Sequence, residues 1–245
     1  MHHNFLFDLD QTLLDFHASE YIALDIVLRS NGFSFSDEIY RAFKACNKAL
    51  WLEFEKGTIT RTELFTRRFQ DVFCRCGMDT ARLDPLKIND DFIRTMSMNG
   101  VLMEGALEFV KKIKENIPNA RIYIASNGVA ANAKGRIVST GLDQYIDDYF
   151  ISDELGVAKP DAAFFDICLD RIGEPKNSCM MIGDSLSSDM LGAKNAALDS
   201  VWFIPSGNIR EAMAAYDINC CASSFGELYE ILRCWSSIIS RKESD

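Results

Sequence analysis

The sequence predicts an α/β protein, a parallel sheet core with an all-helical domain inserted after the first strand. Three observations predict it. Short apolar runs such as Asn4-Phe5-Leu6-Phe7 and Cys179-Met180-Met181-Ile182 suit strands buried on both faces, and from residue 106 onward such runs alternate with helical patterns. Several of them end in, or lead to, a polar residue able to do chemistry. Residues 15–100 carry helical patterns alone, too long a block for a simple crossover.

The first strand is Asn4 to Phe7, closed by Asp8-Leu9-Asp10. A helix from about Ser19 to Ser30 stops at Asn31-Gly32, and a second from about Ser36 to Lys56 stops at Gly57. Thr60-Arg61-Thr62-Glu63 has the form of a capping box, opening a third helix to about Cys76, and a fourth covers about Leu86 to Met98 before Asn99-Gly100. Alternation then resumes. A helix from about Ala106 to Asn116 leads to the strand Arg121–Ala125, then Ser126-Asn127-Gly128 and a helix from Val129 to Ser139. A short strand near Tyr149–Ser152 precedes Gly156-Val157-Ala158-Lys159-Pro160-Asp161, where Pro160 and Asp161 open a helix to about Ile172. The strand Cys179–Ile182 ends in Gly183-Asp184-Ser185, followed by a helix Ser188–Ala197 and a strand Val201–Ile204. A short strand near Cys220 and a helix from about Phe225 to Ile239 finish the fold, and residues 240–245 are expected to fray. The pattern gives a Rossmann-like core of residues 1–14 and 101–245, with residues 15–100 as the insertion.

Composition narrows the chemistry. The 245 residues, 48% hydrophobic and 25% charged, are ordinary for a globular chain, and no apolar run approaches the ~18 residues of a membrane span. The N-terminus enters the first strand without a basic region and apolar segment, so no signal peptide and a cytoplasmic location are expected. Eight cysteines scattered through apparent helices and strands read as reduced thiols used mostly in core packing. The histidines are His2, His3 and His17, which nearly excludes Ser-His-Asp and Cys-His hydrolases and excludes multi-histidine metal sites. Hydrolytic chemistry then rests on carboxylates, Ser, Lys and a hard cation. A net charge of −10 argues against unaided nucleic-acid binding.

If the extended chain persists through Leu9, Asp8 and Asp10 project to one side about 7 Å apart. Two like charges converging there call for a metal, a raised pKa, or both. In open α/β sheets ligands bind beyond the carboxyl ends of the strands, where Asp8, Asp10, Ser126, Lys159 and Asp184 all fall. Each alone also reads as turn chemistry: a strand-ending Asp, a helix cap at Ser126-Asn127-Gly128, a surface lysine before proline. Random turns need not supply three carboxylates, a hydroxyl and a lysine together.

The ordered set resembles the haloacid dehalogenase (HAD) superfamily phosphohydrolases: Asp8-Leu9-Asp10-Gln11-Thr12 matches their first motif, Ser126 the second, Lys159 in Ala-Lys-Pro the third, and Gly183-Asp184-Ser185-Leu186-Ser187-Ser188-Asp189 the fourth. Gln11 stands where many members carry Gly. The resemblance implies Asp8 as nucleophile and Asp10 as acid and base. It implies Mg²⁺ held by Asp8, the main-chain carbonyl of Asp10 and Asp184, with phosphate bound by Ser126, Asn127 and Lys159. Asp189 would support a metal-bound water or Lys159. The insertion resembles the family's helical cap. Within it, Asn47-Lys48-Ala49-Leu50-Trp51, with Phe54, Gly57-Thr58-Ile59-Thr60 and Arg68-Phe69, resembles the bacterial pyrimidine 5′-nucleotidases. The implied partner is a small phosphorylated metabolite, a nucleoside monophosphate foremost, with monomer or homodimer left open.

Asn47 and Trp51, four apart on one helix, would meet the base, unless Trp51 packs in the cap core with Phe43 and Phe54. Dehalogenases lack an acid at the Asp10 position, because halide leaves without a proton. Sugar-phosphate or phosphoglycolate phosphatases share the core motifs, as would a β-phosphoglucomutase-like mutase. A phospho-accepting signalling domain has similar acids but gains nothing from Asp10 or a large insertion.

Overall fold

A computed structural model describes residues 2–79, 84–205 and 220–237. The chain divides into two compact units, Met1–Phe16 with Gly100–Asp245, and His17–Asn99.

In the first unit, six parallel strands form one sheet in the order β3-β2-β1-β4-β5-β6. They are β1 (Asn4–Phe7), β2 (Arg121–Ser126), β3 (Asp148–Ile151), β4 (Cys179–Gly183), β5 (Asp199–Phe203) and β6 (Cys221–Ala222). All four residues of β1 are buried because the strand is central and both faces are covered. Phe5 and Phe7 join Ile122, Ile124, Met180 and Ile182 beneath α5 (Ala106–Asn116), α6 (Ala130–Thr140) and α10 (Phe225–Ser237). Leu6 faces the other way, with Met181, toward α8 (Ala162–Ile172) and α9 (Leu191–Asn195). Each fully buried Phe or Leu of this kind contributes about 1.5–3 kcal/mol. The order of strands reverses around β1, and Phe7 pairs with Ile124 on one side and Ile182 on the other. Whatever follows Phe7 therefore emerges between the ends of β2 and β4, at the crevice of a doubly wound sheet.

Three details differ from the sequence reading. A short helix α7 (Ser152–Leu155) follows β3 directly, and the sequence reading assigned no helix there. The helix expected over Ser188–Ala197 is a wide π-type turn, Leu186–Met190, then the short α9. The Ser185 carbonyl accepts both Asp189 N and Met190 N, and Asp189 is buried. The cysteines are all free thiols, but only Cys168 and Cys179 are buried, while Cys74 and Cys234 lie on outward helix faces and are exposed. The expected end of the last helix at Ile239 and the fraying of residues 240–245 lie outside the described residues.

The second unit contains α1 (Phe16–Ser30, its first residue in the first unit), α2 (Asp37–Glu55), α3 (Arg61–Arg75) and α4 (Pro85–Met98). The capping box opens α3 as expected, Thr60 Oγ1 accepting from Glu63 N and the Glu63 carboxylate accepting from Thr60 N. Phe43, Phe69 and Phe92 form its aromatic centre, with ring centroids 5.4–5.7 Å apart. Arg68, 5% exposed, lies among Phe65, Phe69 and Phe92 and bonds Asn89. Among the described residues no helix is long and apolar enough to cross a membrane.

Gly192 of α9 tests how tightly α8 and α9 pack. A Cβ there would stand 2.5 Å from Phe165 Cε2 and 3.2 Å from the Pro160 main chain. Gly192→Ala is expected to cost about 1–3 kcal/mol, the usual range for overpacking, read as a lower unfolding midpoint in denaturant. An unchanged midpoint would mean that the Phe165 ring yields freely.

Candidate active site

The site is built on the loops that leave the carboxyl ends of β1, β2, β3 and β4. Lys159 lies at their meeting point, 4% exposed. Its ammonium donates to Asp8 Oδ1 at 2.7 Å, to Asp189 Oδ1 at 2.6 Å and to the Ala125 carbonyl at 2.5 Å. An ammonium has three protons, so every donor is used. Lys159 thus has no spare hydrogen bond for a further ligand, and its charge is what it can offer one. Burial alone would lower its pKa, but Asp8 and Asp189 outweigh that and raise it, keeping the lysine charged.

Asn127, expected as a phosphate ligand, has its side chain committed elsewhere. Its Nδ2 donates to the Lys159 carbonyl at 2.8 Å and its Oδ1 accepts from Lys159 N at 2.9 Å. This two-way clasp locks the Lys159 loop to the end of β2. Ser126 is 2% exposed, and its Oγ accepts from Gly128 N at 3.1 Å, which leaves the hydroxyl proton to donate.

Asp189, wholly buried, accepts Lys159 on Oδ1 together with Ser188 Oγ, and Ser185 N on Oδ2. It lies against the end of β4, where a Cβ on Gly183 would fall 2.2 Å from Asp189 Oδ2. Glycine is needed there for close approach. The main-chain carbonyl of Asp184 accepts Trp202 Nε1 at 2.7 Å, which fixes the loop from β5.

Asp8 and Asp10 have separate cationic partners. The strand ends at Phe7, the chain turns over residues 11–13, and the Asp10 carboxylate turns to Arg136. The Arg136 guanidinium grips both Asp10 oxygens, Nη2 to Oδ2 at 3.1 Å and Nη1 to Oδ1. Sequence reasoning missed Arg136, although it falls beside the buried stripe Ala130, Ala133 and Ile137 of α6, an unusual place for a charge. The turn also explains Gln11: its φ of 61° lies in the left-handed region that favours glycine, and its Oε1 accepts Phe16 N at 2.9 Å.

Carboxylate oxygens of Asp8, Asp184 and Asp189 lie within 4.8 Å of one another. With one lysine among three acids, negative charge is in excess. Burial, opposed by Lys159 and reinforced by Asp189 and Asp10, pushes the Asp8 carboxyl above its usual range. Burial, with Asp189 beside it, pushes Asp184 up to about 6. Clustered hard oxygen donors with unbalanced charge fit Mg²⁺. The expected set of Asp8, the Asp10 main-chain carbonyl and Asp184 is compatible with the Asp10 side chain being engaged by Arg136. In the insertion, Asn47 Oδ1 is buried with no hydrogen-bond partner. Trp51 is half-buried and meets Phe54 edge-on, with centroids 5.7 Å apart, while Phe43 packs with Phe69 and Phe92.

The family model for haloacid dehalogenase-like hydrolases matches residues 3–197. Pyrimidine 5′-nucleotidase PynA of Streptococcus pneumoniae is 33% identical over 216 residues, covering 87% of this chain and 89% of that protein. Pyrimidine 5′-nucleotidase YjjG of Escherichia coli is 33% identical over 227 residues, covering 92% and 96%. The crystal structure of the HAD-hydrolase YfnB from Bacillus subtilis bound to magnesium superposes with a TM-score of 0.79 at 28% identity, covering 94% of this chain and 98% of that one.

A proton and a divalent cation compete for the raised carboxyls. Because Asp184 keeps its proton below about 6, apparent Mg²⁺ affinity is expected to weaken as pH falls through that value, with protons released on binding. Calorimetric titration in buffers of different ionisation enthalpy measures both. Affinity independent of pH with no proton release would contradict the excess of negative charge.

Proposed function

Because the chain belongs to the haloacid dehalogenase-like hydrolase family, we propose that it is a Mg²⁺-dependent phosphomonoester hydrolase. It acts through an aspartyl-phosphate on nucleoside monophosphates, pyrimidine ones foremost. The observation that carries the chemistry is Asp8 at the crevice of the sheet, its Oδ1 on Lys159, with a second acid, Asp10, two residues on. The relatives named as pyrimidine 5′-nucleotidases support the choice of substrate.

Asp8 attacks phosphorus through a carboxylate oxygen as the ester P–O bond breaks, and Asp10, as the carboxylic acid, gives its proton to the departing oxygen. In the second half, water attacks the same phosphorus, Asp10 takes its proton, and the Asp8–phosphorus bond breaks to release phosphate. Lys159 holds the attacking carboxylate in place and offsets charge in the transition state, while Ser126 donates to a phosphoryl oxygen. Mg²⁺ on Asp8, Asp184 and the Asp10 carbonyl would supply further neutralisation of the phosphate. Asp10 separates this reaction from halide displacement, which needs no acid.

A phosphate site common to all monoesters cannot discriminate among them, so the insertion supplies discrimination. The unpaired Asn47 Oδ1 suits the N3–H of uracil or thymine, and Trp51 offers an apolar wall.

Substrate preference and three substitutions test the reading. With Mg²⁺, UMP, dUMP or dTMP should be hydrolysed in preference to AMP and hexose phosphates. Asn47→Ala should cost about 1–3 kcal/mol in kcat/KM for nucleotides while hardly changing p-nitrophenyl phosphate hydrolysis. If hexose phosphates rank first, the nucleotidase reading is wrong. Asp8→Asn should abolish turnover. Asp10→Asn should lower it by about 10²–10⁴-fold, least for p-nitrophenyl phosphate; losses equal for good and poor leaving groups would remove Asp10 from the acid role.

A further inference from the structure

The two carboxylates of the first loop each have a cation of their own. Lys159 serves Asp8, and Arg136, from the helix that follows the Ser126 loop, serves Asp10. The two partners are unlike. Lys159 shares one ammonium among three acceptors, whereas Arg136 presents a planar fork to both oxygens of one carboxylate, an arrangement that fixes direction as well as charge. We infer that Arg136 is a positioning residue for Asp10, a buried fork that sets the direction from which the Asp10 carboxyl meets the leaving oxygen. The inference rests on the phosphohydrolase reading above.

The fork has a fixed side and a yielding side. The Arg136 side chain is 2% exposed and the Asp10 side chain 28%. Arg136 Nε donates to Asn132 Oδ1, one helical turn back, at 2.9 Å, and the guanidinium carbon lies 5.3 Å from the centroid of the Phe16 ring. These contacts tether Arg136 independently of Asp10. Asp10 is on a short turn, held by Gln11 N donating to the Leu14 carbonyl at 2.8 Å, with its carboxylate at the accessible edge. Proton transfer needs one Asp10 oxygen at the leaving oxygen, so one arm of the fork opens while the other stays. When the proton has passed to the leaving oxygen and the ester P–O bond has broken, both Asp10 oxygens can return to the guanidinium. Asp10 then waits, correctly aimed, to take a proton from the attacking water. A lysine in place of Arg136 would keep the charge and lose the aim.

The test uses the full-length protein with saturating Mg²⁺ and aryl phosphates graded from p-nitrophenyl to p-methoxyphenyl, which make no demand on base recognition. Arg136→Lys and Arg136→Met are each expected to lower kcat on the poor leaving group about 10-fold or more beyond any loss on p-nitrophenyl phosphate, inside the ~10²–10⁴-fold range of a proton donor. KM and inhibition by inorganic phosphate should barely move. In an Asp10→Asn background, Arg136→Met should cause no further loss. Asn132→Ala leaves the guanidinium in place but cuts its tether, and should give the same selectivity in smaller measure; it carries the test if the Arg136 variants do not fold. Equal losses along the series, a loss that persists without Asp10, or a raised KM with weaker phosphate inhibition would each overturn the inference while leaving the phosphatase reading intact. An unaltered leaving-group response in Asn132→Ala with unfolded Arg136 variants would likewise reduce Arg136 to a packing residue. If the wild type with Mg²⁺ hydrolyses none of the aryl phosphates, the phosphatase reading falls and the inference with it.

Discussion

A single buried ammonium holds this site together. Lys159 has left water, and a buried cation is tolerable only where its desolvation is offset by opposite charge and filled hydrogen bonds. Asp8, Asp189 and the Ala125 carbonyl meet that demand, and they come from the ends of β1, β4 and β2, while Lys159 itself arrives on the loop beyond β3. Segments from four strands and their loops are tied to one atom. The Asn127 clasp on the Lys159 main chain and the close approach of Asp189 to Gly183 serve the same centre. Removing any one of these groups leaves a charge or a carbonyl in the interior without its partner.

Charge balance around that centre explains why it suits a divalent cation. Three carboxylates face one lysine, so the cluster is too acidic to accept an anion as it stands, and protons or a divalent cation must correct it. Asp10 is kept out of this cluster by Arg136. Two acids two positions apart are thereby given separate surroundings, one pressed against Lys159 and one held on the Arg136 fork. Dividing roles by environment is how a pair of identical side chains comes to do two kinds of chemistry.

The insertion follows different rules. Its centre is aromatic, yet it buries Glu20 and Arg68, and the Glu20 carboxyl is pushed up to about 7, chiefly by burial. Tyr40 Oη donates to Glu20, and Asn89 accepts from Arg68. Neither residue carried a signal in the amphipathic pattern, because a charged side chain on a helix reads as solvent-facing unless the packing partners are known. Trp51, read either as a wall for the base or as a core residue beside Phe43 and Phe54, is half-buried against Phe54, while Phe43 packs with Phe69 and Phe92.

The sequence by itself determined the alternation of strands and helices, the place of the insertion, and the strand-end residues Asp8, Asp10, Ser126, Lys159 and Asp184. All of these depend on local pattern, on hydrophobic period and on turn residues, which neighbours along the chain suffice to define. It also marked Gln11 as the departure from glycine, and the left-handed φ supplied the reason. What only the tertiary structure decided is which charges meet. Arg136 is 126 positions from Asp10, and the two are brought together by parallel pairing of β1 with β2, which sets α6 beside the first loop. Nothing near Asn127 in the sequence says that its side-chain amide grips the Lys159 main chain, 32 positions away. The π-type turn that carries Asp189 inward has no signature in composition, and the ammonium it meets there belongs to a residue 30 positions away. Partners of this kind are fixed by chain topology and by the cost of leaving a buried charge alone, and neither is written in the spacing of residues along the chain.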